Sequence, residues 1–76
     1  MDYDNLNIAI MTLMEQYGGF VMDIDHAINV TADLAPLVCK LVEAGHMAFE
    51  EEGMAVSEDG QEHLADFFNF HKPTMN

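Results

Sequence analysis

Glycines divide this chain into short segments, each with its own spacing of apolar residues. Gly18 and Gly19 end one segment in which apolar residues recur every three or four positions, and Gly45 ends another. That spacing places apolar side chains on one face of an α-helix, and glycine tolerates the backbone turn that ends it. Beyond Gly45, two alternating runs flank Gly53, which is typical of a β-hairpin. The pattern predicts an α+β chain that is mainly helical.

The first segment predicts a helix and then a short strand. The helix runs from Asn5 to Tyr17, and Asp4 or Asn5 is expected to be its N-cap, since both side chains can accept a backbone N–H. Residues 20–22, Phe-Val-Met, are too few for a helix and are rich in β-forming side chains. We therefore expect a short strand there.

Two more helices are expected before Gly45. The shorter covers residues 24–29 and is capped by Asp23. Its apolar side chains are expected to face the core: Ile24, Ala27 and Ile28. The longer is capped by Thr31 or Asp33 and runs to Ala44. Pro36 favours Asp33, because proline then lies among the first four residues, whose N–H groups have no helical acceptor.

The last third of the chain predicts a hairpin and a fourth helix. The hairpin joins residues 46–50 to residues 54–56 through a turn at 51–53. Ser57 is expected to cap the helix, and Glu58 and Asp59 in its first turn complement the helix dipole. The tail, residues 71–76, is expected to fray.

This order of elements resembles the winged helix-turn-helix family. The resemblance covers residues 6–68, and its most specific part is LVEAGHMAFEEEGMAVSEDGQEHL, residues 41–64. There a helix end is followed by Ala-Gly, two wing strands, Ser, an acidic pair and Gly. The resemblance implies one winged-helix domain over residues 1–76, with four helices, a short strand and a β-hairpin wing. DNA-reading members contact DNA through the third helix and the wing.

The charge of the chain argues against DNA as its partner. It has 14 Asp and Glu against 2 Lys and Arg, with a formal net charge of −12. Nucleic-acid binding needs cations that displace counterions, and an anionic membrane repels such a chain as well. We therefore expect no direct DNA binding, no membrane, and a basic protein surface as the partner. The predicted partner-binding residues lie on the third helix, the wing and the last helix: Asp33, Pro36, Lys40, Glu43, Glu50, Glu51, Glu52, Glu58, Asp59 and Glu62.

In size and charge the chain resembles small acidic phage-encoded anti-defence proteins, including anti-CRISPR proteins and anti-restriction DNA mimics. The resemblance implies a protein that binds and inhibits or modulates a nucleic-acid-binding protein. The alternative is a winged-helix transcriptional regulator or complex subunit that acts as a homodimer. Ile8 and Met11, off the main apolar stripe of the first helix, could form a dimer seam or a patch for a partner. A third reading gives the acidic surface no role beyond solvation.

No motif predicts catalysis, a cofactor or a metal. The single cysteine, Cys39, excludes an internal disulfide and a cysteine-based zinc site. His63 and Asp66 share a helix face, but no paired-histidine motif occurs. We expect no enzymatic activity, no cofactor and no metal. The acidic start MDYDN, the lone cysteine and the lack of a long apolar stretch predict a cytoplasmic location.

Overall fold

The computed structural model describes residues 2–51 and 53–73. Its elements, in chain order, are α1 (Tyr3–Tyr17), α2 (Ile24–Glu43), β1 (Met47–Glu50), β2 (Gly53–Val56) and α3 (Glu58–His71). The predicted class, α+β and mainly helical, is confirmed. The described residues form three helices instead of four, so the winged helix-turn-helix architecture is not confirmed.

Helix α1 begins slightly earlier than predicted. Its first residue is Tyr3, and Asp2 occupies the N-cap position without a side-chain hydrogen bond, so the prediction that Asp4 or Asn5 caps it is wrong. The helix ends before Gly18, as predicted. The φ angle of Gly18 is −89°, so the chain leaves α1 without the left-handed conformation that glycine permits.

The segment between α1 and α2 is a packed connection, and the strand predicted at residues 20–22 is wrong. A strand requires a hydrogen-bonded neighbour, and β1 and β2 pair with each other. Phe20 nevertheless contributes to packing. Its ring centroid lies 6.3 Å from that of Phe68 and 5.7 Å from that of His26. The segment is held by these side chains and not by a ladder.

Helix α2 is one continuous helix of 20 residues, so the predicted break between two helices is wrong. Asp23 caps it as predicted, since its carboxylate accepts the backbone N–H of His26 at 2.7 Å. Thr31 and Asp33 lie inside the helix and cap nothing, and Pro36 is also interior. The helix carries one uninterrupted buried stripe: Val30, Leu34, Val38 and Leu41. Burial of this stripe offsets the hydrogen bond that proline removes.

Gly45 ends α2, as predicted. Gly45 has a φ of +80°, which glycine adopts without a Cβ clash. Its N–H donates to the carbonyl of Val42 at 3.1 Å, and the N–H of His46 donates to the carbonyl of Leu41 at 2.8 Å. This pair of bonds is the Schellman motif. It turns the chain from α2 directly into β1.

The predicted hairpin is confirmed. β1 and β2 are antiparallel, with Met47 opposite Val56 at the base and Glu50 opposite Gly53 at the tip. Glu51 begins the turn between the strands, and Glu52 lies outside the described residues. Met47 is buried and Phe49 half-buried, so this face of the hairpin covers the core.

Helix α3 is capped by Ser57 as predicted, through a hydrogen bond that its Oγ accepts from the N–H of Gly60 at 3.1 Å. The helix includes His71, so the prediction that fraying begins at residue 71 is wrong for that residue. His71 is retained by contacts with α2: its carbonyl lies 3.2 Å from Nε2 of His26. Lys72 and Pro73 follow the helix, and residues 74–76 of the predicted tail lie outside the described residues.

The three helices and the hairpin enclose one core. His26 contacts the end of α3, while the His46 ring, just beyond α2, lies 6.1 Å from the His63 ring. Helices α2 and α3 therefore run antiparallel. The buried residues are Ala9, Leu13, Val30, Leu34, Val38, Leu41, Met47, Leu64 and Phe68. None of the helices formed by the described residues has the length and hydrophobicity needed to span a membrane.

Candidate protein-binding surface

Every acidic side chain that the structure describes is exposed to solvent. The described part of the chain contains one ion pair, between Nε2 of His71 and Oδ2 of Asp33 at 3.5 Å, which forms when the imidazole is protonated. With 14 acidic residues and 2 lysines, the chain cannot neutralise its own carboxylates. The carboxylates are thus accessible to the basic groups of another molecule.

The hairpin places two of the predicted carboxylates at its tip. Glu50 is the last residue of β1 and Glu51 begins the loop, and both side chains are exposed. The third predicted carboxylate of the tip, Glu52, is not among the described residues. Three residue steps of about 3.3 Å separate the tip from the base of the hairpin, so the tip projects roughly 10 Å.

The start of α3 holds three more of the predicted carboxylates: Glu58, Asp59 and Glu62. Their position is fixed by Ser57, which caps the helix and also lies 3.0 Å from Nδ1 of His46. The positive end of the helix dipole stabilises carboxylates in the first turn. We call the described carboxylates of both places the hairpin–α3 acidic surface: Glu50, Glu51, Glu58, Asp59 and Glu62.

The four predicted residues of α2 share one exposed face but are spread along the helix: Asp33, Pro36, Lys40 and Glu43. The first and last of them are about 15 Å apart at 1.5 Å per residue. Lys40 lines a shallow groove with His46 and His63, near the start of α3. Asp33 contacts His71 at the opposite end of α3. The structure therefore brings Lys40 toward the hairpin–α3 acidic surface and leaves Asp33 away from it.

The sequence prediction missed an apolar surface on the first half of α2. Ile24 and Ile28 were expected in the core, but their side chains are 77% and 60% exposed. The expectation failed because it treated residues 24–29 as a separate helix. In one continuous helix, Ile28 lies about 200° around the axis from the buried Val30. Treating residues 24–43 as one helix would have predicted this surface from the sequence.

Helix α1 also exposes apolar side chains. Met11 is 70% exposed and Ile8 is 48% exposed, and both lie off the buried face that holds Ala9 and Leu13. Both were expected to lie off the main stripe and to form a dimer seam or a patch for a partner. Exposure makes both side chains accessible to a partner, and that role stays a prediction.

The described residues offer little for metal binding or acid–base chemistry. Residues 2–51 and 53–73 contain no group of three or more His, Cys, Asp or Glu side chains that could jointly hold a metal ion. Cys39 is half-buried and is a free thiol. A groove between α1, β2 and α3 is lined by polar side chains of Thr12, Gln16 and Gln61, without a carboxylate, imidazole or thiol among its lining residues.

Comparison with known proteins gives no relative. No protein-family model, no curated protein and no solved structure matches the chain. The functional argument therefore rests on the surfaces described above.

Proposed function

We propose that this protein binds the nucleic-acid-binding groove of a basic protein and thereby inhibits or modulates that protein. In this proposal the hairpin–α3 acidic surface occupies the place of nucleic-acid phosphates. One observation carries the proposal: every described carboxylate is exposed, and a single one of them has a basic partner within the described chain. Duplex DNA offers a basic groove the same kind of surface, with about one negative charge per 1.7 Å of its axis.

The physical basis of binding is electrostatic. A carboxylate and an ammonium or guanidinium group 4 Å apart attract by about 1 kcal/mol in water, and more strongly where the interface excludes water. Several such pairs also steer the two proteins together before contact. Salt screens these interactions, so complex formation should weaken steeply as ionic strength increases.

The proposal uses one part of the winged-helix resemblance. The hairpin followed by the Ser57-capped α3 corresponds to the wing and the helix after it. We propose that this wing, with Glu50 and Glu51 at its tip, enters the partner's groove. Such a protein would act as a DNA mimic of the phage anti-defence type, against a CRISPR or restriction system.

Capture from a lysate of the native host tests the proposal. The immobilised protein should retain a basic nucleic-acid-binding protein, identified by mass spectrometry, and an excess of short duplex DNA should release it. About 0.5 M NaCl should release it as well, because the Debye length falls well below 10 Å. Retention that neither DNA nor salt reverses would contradict the proposal.

Two variants of equal net charge locate the contact. The first carries Glu50→Gln, Glu51→Gln and Glu58→Gln and should lose most of the captured protein. The control carries Asp2→Asn, Asp4→Asn and Glu15→Gln on or before α1, and should retain it. Equal loss in both variants would mean that only total charge matters and that the hairpin–α3 acidic surface is not the contact.

A further inference from the structure

Helix α2 has a second apolar face, whose two large side chains, Ile24 and Ile28, are mostly exposed. It forms a shallow groove lined by Ile24, Ala27, Ile28, Thr31 and Ala32. These positions follow the spacing i, i+3, i+4, i+7 and i+8, which is the seam of a helix that packs against another helix. We call these five residues the α2 apolar surface.

The shape of this surface suits a helix. Ile24 and Ile28 are large and mostly exposed, while Ala27, Thr31 and Ala32 are small. Small side chains between two large ones leave a depression into which the side chains of another helix can insert. The surface is already formed, because Val30 and Leu34, on the buried face of the same helix, hold α2 against the core. A partner therefore need not order it upon binding.

The charges around the surface select the partner. Two exposed carboxylates lie beside it, from Asp23 and Asp25, and Asp25 is one helical turn from Ile28. The nearest lysine on the helix, Lys40, is about 12 Å beyond Ala32. A second copy of this chain would place aspartates against aspartates, with only Lys72, which follows α3 near the start of α2, to offset them. A cationic helix would pair with both.

We propose that the α2 apolar surface docks an amphipathic helix whose apolar face is flanked by Lys or Arg. The inference rests on the proposed function in one respect, that the partner is a basic protein. The hairpin–α3 acidic surface supplies charge, and the α2 apolar surface supplies the apolar contact that distinguishes one basic protein from another.

A synthetic peptide tests the proposal directly. A fluorescent Leu/Lys peptide of about 18 residues, with all leucines on one face of its helix, is titrated with the full chain at about 0.15 M NaCl. A second peptide has the same composition with no apolar face. We expect the amphipathic peptide to bind at least tenfold more tightly by fluorescence anisotropy. Equal affinity for both peptides would overturn the proposal.

Matched variants locate the binding site. The double variant Ile24→Ser with Ile28→Ser should reduce the preference for the amphipathic peptide to less than twofold. The control, Ile8→Ser with Met11→Ser, removes two exposed apolar side chains from α1 and should leave the preference unchanged. All four residues are exposed, so both variants should keep the circular dichroism of the native chain. Equal effects of the two variants would overturn the proposal.

Sedimentation of the free chain tests whether a second copy of the chain occupies the α2 apolar surface instead. A homodimer that dissociates upon Ile28→Ser would assign the surface to a second copy and overturn the proposal. Failure of this inference and failure of the proposed function can be told apart. If the double variant binds the peptide normally while duplex DNA still releases captured protein, only this inference fails. If the variant loses the peptide while DNA releases nothing, only the proposed function fails.

Discussion

Gly60 shows how closely α3 packs against the base of the hairpin. A Cβ atom at this position would lie 2.8 Å from Cγ1 of Val56 and 3.0 Å from the carbonyl oxygen of His46. Valine is β-branched and stiff, and the carbonyl belongs to the backbone, so neither atom can move easily. The first turn of α3 can pack this closely against the hairpin only because residue 60 has no side chain.

Gly60→Ala should therefore destabilise the protein by about 1–3 kcal/mol, the usual range for overpacking. Urea unfolding followed by circular dichroism measures the change. Gly19→Ala is the matched control, because a Cβ there meets no atom within 4 Å. It should leave stability unchanged or raise it by up to about 1 kcal/mol. A Gly60→Ala variant as stable as the native chain would contradict the described packing.

At the scale of the element, α2 contains a defect that its packing tolerates. Pro36 lies inside the helix and is exposed, so its ring contributes nothing to the core. It has no N–H to donate to the carbonyl of Ala32, four residues earlier. The buried stripe of α2 keeps the helix continuous in spite of this loss.

Pro36→Ala should raise the free energy of unfolding by about 1–3 kcal/mol, because proline in a helix interior is about 3 kcal/mol less favourable than alanine. Chemical denaturation in urea is again the measurement. Pro73→Ala, beyond the end of α3, is the control and should change stability by less than about 0.5 kcal/mol. Destabilisation by Pro36→Ala would mean that α2 is bent at this position in a way that the core requires.

The elements that could be predicted from the sequence are those with local causes. Asp23 and Ser57 each cap a helix through a backbone N–H three residues later, and Gly45 ends α2 through its own φ angle. The break in α2 was also predicted from local signals, the candidate caps Thr31 and Asp33, of which Pro36 favoured Asp33. It was wrong because burial of distant residues in the core decides whether a helix continues.

At the scale of the whole molecule, the charge of −12 acts on stability as well as on binding. Folding brings the carboxylates closer together than they are in the unfolded chain, so their repulsion opposes folding. Salt should relieve it. Between about 0.01 M and 0.3 M NaCl, the free energy of unfolding in urea should rise by roughly 1 kcal/mol, the scale of one close pair of charges.

The variant with Asp2→Asn, Asp4→Asn and Glu15→Gln provides the control for this effect, since it has three fewer repelling charges. Its stability should increase less with salt than that of the native chain. A native chain that salt destabilises would show that the surface charges attract one another on balance, and would contradict the picture of unpaired carboxylates.

The candidate site was predictable in part. Exposure of the acidic residues followed from their charge, since unpaired carboxylates are rarely buried. Their position at the hairpin and the start of α3 followed from the turn and the cap. The α2 apolar surface could not be predicted in this way, because isoleucine is usually a core residue. Ile24 and Ile28 are exposed because α2 is one continuous helix.

Competition for the partner tests the central claim most directly. The protein captured from the host is purified and bound to a fluorescent DNA duplex, and this chain is then added. We expect fluorescence anisotropy to fall as the duplex is displaced, with weaker displacement by the variant carrying Glu50→Gln, Glu51→Gln and Glu58→Gln. An anisotropy that stays constant or rises, because the chain binds elsewhere on the complex or binds the duplex itself, would contradict the claim.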